Sequence, residues 1–84
     1  MRIVYTDEAV AQLARLPRSI QRHIAKKMRH LAVLENPYML LKKLKGRNVF
    51  RIRVGAYRVI GIIAHEIFSV LLIGHRSKIY EEFD

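Results

Sequence analysis

From Val49 onward the chain is committed to extended structure. Val49-Phe50-Arg51-Ile52-Arg53-Val54 alternates apolar and charged residues, and Gly55-Ala56 then offers a two-residue turn with glycine first, a strong local signal for a hairpin. Tyr57 to Ile63 continues in β-branched residues, Ala64-His65-Glu66 makes the next turn, and Ile67 to Ile73 reads as another strand. Seven of the fifteen residues from Val59 to Ile73 are Val or Ile. That selects strand over buried helix, because branching at Cβ restricts χ1 in a helix and packs well on a pleated surface. Three such strands present an apolar face that the rest of the chain must cover.

The N-terminal half supplies the cover. Residues 2–5 read as a short strand, and Thr6 is a good N-cap, followed by Asp7 and Glu8 where carboxylates favour the positive end of a helix dipole. Val10, Leu13 and Leu16 recur at helical spacing beside Ala9, and Pro17 ends this helix. Ser19 or the Pro17-Arg18 turn opens a second, with an apolar stripe of Ile20, Ile24, Met28 (or Ala32), Leu31 and Leu34, stopped by Asn36-Pro37. So short a joint makes the two helices neighbours, an antiparallel pair. Gly74-His75-Arg76-Ser77 leaves the sheet, and Lys78 to Asp84 is too short to assign. The order β-α-α-β-β-β predicts an α+β fold, a mainly antiparallel sheet with a helical pair on one face, in a single domain spanning residues 1–84.

Composition narrows the function classes. With no cysteine, neither a disulfide framework nor a thiolate zinc site is available, and a cytoplasmic address is expected. Acids follow the start at once, so no signal peptide is expected, and the longest apolar stretch is broken by His65-Glu66 and falls short of the ~20 residues of a bilayer span. No membrane partner is expected. Sixteen Lys and Arg against seven Asp and Glu leave a net charge of +9, which points to a polyanionic partner, nucleic acid first. Six cations and no acid lie between Glu8 and Glu35, and seven cations and no acid between Glu35 and Glu66. The expectation is one basic surface.

The hairpin register sharpens this. If Val54 pairs with Tyr57, Arg53 faces Arg58, Ile52 faces Val59 and Arg51 faces Ile60. Phe50, Ile52, Val54, Tyr57 and Val59 then share the core face, while Arg51, Arg53 and Arg58 share the other. Like charges directly opposite destabilise a sheet by up to ~1 kcal/mol, so an unmixed arginine cluster on a half-open sheet reads as a phosphate clamp, guanidinium being a fixed, bidentate cation.

Thr6-x-x-Ala9-x-x-x-Leu13-x-x-Leu16-Pro17, Leu44-Lys45-Gly46, the run from Phe50 to Ile60 with its Tyr57-Arg58 pair, and Ile73-Gly74-His75-Arg76-Ser77-Lys78-Ile79-Tyr80 together resemble the RelE/ParE superfamily of toxin–antitoxin toxins, over nearly the whole chain. The RelE-like branch, which the resemblance favours, implies an mRNA interferase: a ribosome-dependent, metal-independent endoribonuclease in which a ribose 2′-hydroxyl attacks the adjacent phosphate. By position the resemblance implies that Arg58, with Arg51 or Arg53, holds the scissile phosphate, Arg76 serves the leaving 5′-oxygen, and Tyr80 takes the 2′-hydroxyl proton. Tyr80 would need nearby cations to lower its phenol from the usual ~10. RelE enzymes commonly carry lysine at the positions of Arg51 and Arg53, so either general-base work here falls to Tyr80 or His75, histidine being the side chain that titrates near neutrality, or the activity is weaker. Neither cofactor nor small-molecule substrate is expected.

Beyond that cluster, Arg22, Lys26 and Arg29 on the second helix, and Lys42, Lys43, Lys45 and Arg47 ahead of the hairpin, are candidates for ribosomal RNA phosphates. His23 and His30, two turns apart, cannot share one metal ion, so no metal site is expected. The resemblance further implies an acidic, RelB-like antitoxin as cognate partner. Two other readings stay open: a ParE-like inhibitor of DNA gyrase, and a non-catalytic basic RNA-binding module.

Overall fold

The computed structural model describes residues 1–44 and 48–79. Its elements are β1 (Arg2–Tyr5), α1 (Asp7–Ala14), α2 (Arg18–Val33), a 3₁₀ turn (Pro37–Met39), β2 (Lys42–Lys43), β3 (Val49–Val54), β4 (Tyr57–Ala64), β5 (Ile67–His75) and α3 (Arg76–Ile79). Among the described residues one mixed sheet runs in the order β1-β5-β4-β3-β2, with β1 parallel to β5 and the other pairs antiparallel. This is the expected α+β architecture.

Local chemistry explains the helix boundaries. Thr6 Oγ1 accepts from the Ala9 N–H at 3.1 Å, satisfying a first-turn donor of α1. That helix ends at Ala14, three residues before Pro17. Arg15 and Leu16 close tighter bonds onto Gln12 O and Leu13 O, and Gln21 Nε2 donates to Ala14 O (3.3 Å) and Leu16 O (2.9 Å). With those carbonyls satisfied from α2, the chain turns early, and Pro17 stands just ahead of the next helix, a position its missing N–H suits.

Ile24, Met28 and Leu31 of α2 and Ala9 of α1 pack onto Phe50, Ile52, Val59, Phe68, Val70 and Ile73, so both helices cover the same sheet face. The other face is not open. Ile60, Leu72 and Ile79 form a second small core with Leu44, Val49 and Leu71 beside it, which puts α3 on the side opposite α1 and α2. Lys42 and Lys43, expected in a loop ahead of the hairpin, form a two-residue edge strand, and β5 runs two residues beyond Ile73. Two lysines carry no strand propensity; on an exposed edge they discourage further pairing.

One irregularity matters for everything at the C-terminal end of the sheet. Ile60 pairs with Leu72 but Gly61 pairs with Val70, which leaves Leu71 as an extra residue in β5. Such a bulge inverts the in–out alternation beyond it. Phe68 and Val70 face the helices before the bulge, and Ile73 does so after it.

The β4–β5 hairpin turns through His65 (φ 51°) and Glu66 (φ 61°), the two left-handed residues of a type I′ turn, which Asn-Gly occupies with least strain. Replacing His65-Glu66 by Asn-Gly is expected to raise stability by about 1 kcal/mol, read as a higher denaturant midpoint at unchanged slope. No described helix is long and apolar enough to cross a membrane.

Candidate functional site

The β3–β4 hairpin has the register expected from its turn: Val54 opposite Tyr57, Arg53 opposite Arg58, Ile52 opposite Val59, Arg51 opposite Ile60. Gly55 at φ +58° takes the first turn position. Lys42 lies opposite Arg51 across the β2–β3 pair. Alternation therefore sets Lys42, Arg51, Arg53 and Arg58 on one side of the sheet, away from α1 and α2. The structure brings these four together.

They are not equivalent. Arg53 and Lys42 are exposed and Arg51 is half-buried, whereas Arg58 is only 4% exposed. The Arg58 guanidinium turns back on its own hairpin: Nη1 donates to Gly55 O and to Tyr57 O, both at 2.8 Å. Turn carbonyls thus offset part of the repulsion between Arg53 and Arg58. The residue opposite Arg58 on β5 is Gly74, and a Cβ placed there would lie 3.9 Å from Ile79. The expectation of three guanidiniums on a half-open face is thereby corrected. α3 packs over this side, and Arg58 is a buried tie for the turn.

Arg58→Met is accordingly expected to cost about 1–3 kcal/mol, since it removes two hydrogen bonds from a buried cation and leaves their carbonyls to find water. Chemical denaturation checks this. A loss of activity at position 58 has to be read against that measurement.

Arg76 arrives at the same turn from the other end of the chain. Its backbone N–H donates to Ala56 O at 2.9 Å, so the first residue of α3 is fastened to the β3–β4 hairpin, and its side chain is exposed. The arrangement is a cationic rim of Arg51, Arg53 and Lys42 beside a turn to which Arg58 and Arg76 are both bonded, suited to gripping a phosphodiester.

The family model for the ParE toxin of type II toxin–antitoxin (parDE) systems matches residues 3–80. The chain belongs to that family. This ParE-family toxin also matches solved structures. One is the RelB–RelE antitoxin–toxin complex of Methanococcus jannaschii, with 26% identity, a TM-score of 0.79, and 96% of this chain and 99% of that one covered. The RelBE2 toxin–antitoxin complex of Mycobacterium tuberculosis follows at 23% identity and 0.77, covering 92% of each chain. The isolated RelE toxin of E. coli, at 18% identity and 0.71 over 98% of this chain and 93% of that one, shares the fold. No curated protein sequence matches the chain. The protein is a toxin of a type II toxin–antitoxin system with a RelE-like fold.

The remaining candidates of the toxin divide. His75 pairs with Tyr57 across β4–β5, its ring edge-on to the phenol at 5.3 Å between centroids, so it lies on the helix side of the sheet, away from the arginines. Arg22, Lys26 and Arg29 are exposed on α2, whose polar side turns away from the sheet it covers. The single basic surface expected from the charge pattern is therefore two, on opposite sides of the sheet. Burial raises the Tyr5 phenol pKa, and the Arg29 charge partly offsets this. Lys43 shares an edge with Lys42 but alternates to the other face. Lys45, Arg47 and Tyr80 lie outside the described residues. Among those described, no cluster of metal-ligating side chains occurs.

Sequence reasoning missed Lys42 as a member of the rim. It belongs there because β2 pairs with β3 and sets Lys42 opposite Arg51, a pairing between strands that two lysines do not announce.

Proposed function

We infer that this toxin is a ribosome-dependent mRNA endonuclease. The observation that carries the reading is the rim of Lys42, Arg51 and Arg53 on the sheet face next to the turn that holds Arg58 and Arg76. Among the described residues, four cations share one face of the sheet and Arg76 is tied by its backbone to the same hairpin, whereas a fold seeking only solubility would mix signs on such a face.

In the reaction, the ribose 2′-oxygen attacks the adjacent phosphorus, the P–O5′ bond breaks, and a 2′,3′-cyclic phosphate and a 5′-hydroxyl form. Arg51 and Arg53 would hold the non-bridging oxygens bidentately and neutralise charge gained in the transition state. Arg76 would stabilise the departing 5′-oxygen. Tyr80, as its phenolate, would accept the 2′-hydroxyl proton, and solvent water would supply the proton that turns the departing 5′-oxygen into the 5′-hydroxyl. The exposed α2 cations would contact ribosomal RNA backbone without reading bases. RelB is named in the complex of the Methanococcus relative, and the Mycobacterium one is the toxin–antitoxin complex RelBE2; an acidic RelB-like antitoxin is the partner proposed for a surface this basic.

A gyrase inhibitor is the second reading, favoured by the fact that the matching family model is that of ParE. Mapping RNA 5′ ends after induction separates them. Clustered, codon-dependent cuts that need ribosomes support the nuclease. Loss of gyrase supercoiling with intact messenger RNA replaces it with the inhibitor. Salt-sensitive RNA binding with neither effect leaves a non-catalytic module.

A further inference from the structure

His75 closes β5 and immediately precedes α3. Its Nδ1 accepts a hydrogen bond from the Ser77 backbone N–H at 3.1 Å and lies 2.9 Å from Ser77 Oγ. A backbone N–H can only donate, so Nδ1 carries no proton and the ring holds its hydrogen on Nε2. A side-chain acceptor meeting the N–H two residues on, at the residue just before a helix, is what Asn, Asp, Ser and Thr do as N-caps. Here an imidazole takes that place.

A helix of four residues has no stability of its own, because nucleating the first turn costs more than one turn of bonds returns. What holds α3 is its docking. The Arg76 N–H is taken by Ala56 O at 2.9 Å, the Ser77 N–H by His75, and Ile79 is buried with Ile60 and Leu72. The His75 ring is in turn braced edge-on against Tyr57. His75 thus joins the helix-side core to the segment that carries Arg76 on the other side.

We propose that His75 is a positioning residue, the N-cap acceptor that fixes α3 and Arg76 against the β3–β4 turn. The identity required at this position is an acceptor at the place of Nδ1, which asparagine supplies and glutamine, whose amide lies one bond further out, does not.

Three measurements on the full chain test it. Imidazole ¹⁵N shifts of the wild type are expected to show the tautomer protonated on Nε2. Ser77 amide exchange is expected to rise about 5-fold or more in His75→Ala and His75→Gln and to stay near the wild-type rate in His75→Asn. Ribosome-dependent RNA cleavage, the one measurement that rests on the nuclease reading, is expected to fall about 10-fold or more in the Ala and Gln variants and to be retained in Asn.

A ring protonated on Nδ1 overturns the proposal even if no variant folds. Unchanged Ser77 exchange in His75→Ala overturns it as well. So does an Asn variant that protects Ser77 yet no longer cuts, since the imidazole is then in the chemistry. If the wild type itself cuts no RNA while tautomer and exchange behave as expected, the positioning role stands and the nuclease reading fails.

Discussion

Gly61→Ala is expected to destabilise the toxin by about 3 kcal/mol or more, enough to remove most of the stability of a domain this small. A Cβ at position 61 would sit 2.4 Å from Ser69 O and 2.7 and 2.8 Å from two carbons of the Phe68 ring. The ring could yield; the carbonyl belongs to the neighbouring strand and cannot. Relief requires β4 and β5 to separate at the bulge or to abandon it. Abandoning it shifts β5 by one residue, which sends Ile73 out of the core and reverses the placement of Gly74 and His75. Thermal or denaturant unfolding reads the loss. Stability within about 1 kcal/mol of wild type would mean that the strands part without cost and that the bulge is not what sets their register.

Arg53→Ala has the opposite profile. Arg53 is exposed, and its cross-strand neighbour is another arginine, so the fold should be unchanged within about 0.5 kcal/mol, with any shift towards greater stability as like charges are separated. On the proposed nuclease reading, RNA cleavage on ribosomes should fall by about 10²-fold, and growth arrest with it, because losing one donor aimed at transition-state charge costs about that much. Arg51→Ala should act in the same direction. Undiminished cleavage in the Arg53 variant would move the phosphate site away from this face. The contrast with Arg58, where activity and stability are expected to fall together, separates the residue proposed to face the substrate from the one that holds the turn.

The sign of that contrast could not be foreseen from alternation. Alternation places Arg51, Arg53 and Arg58 on one face correctly, because a two-residue turn with glycine first leaves one register and a strand leaves two faces. Their burial was not legible. It depends on α3, and Arg76 to Ile79 has too few residues for any periodicity to register. His75 is the sharper case. Under strict alternation from Phe68 and Val70, it falls on the arginine side, next to the proposed chemistry. The extra residue at Leu71 reverses that parity and turns it to Tyr57.

The amino-acid order alone determined the features that short-range chemistry controls: the Thr6 cap, the apolar stripe of α2, the hairpin register and the excess of positive charge. The first three depend on neighbours within a turn of helix or across a two-residue loop, and the last on composition. Tertiary structure decided which basic residues meet, which stay exposed and which are consumed by the fold. The bulge opposite Gly61, the docking of Ile79 over Gly74 and the division of cations between two sides all arise from contacts between strands and helices far apart in the chain. No local preference encodes them, because a bulge changes parity by one residue and a four-residue helix exists only where it is docked.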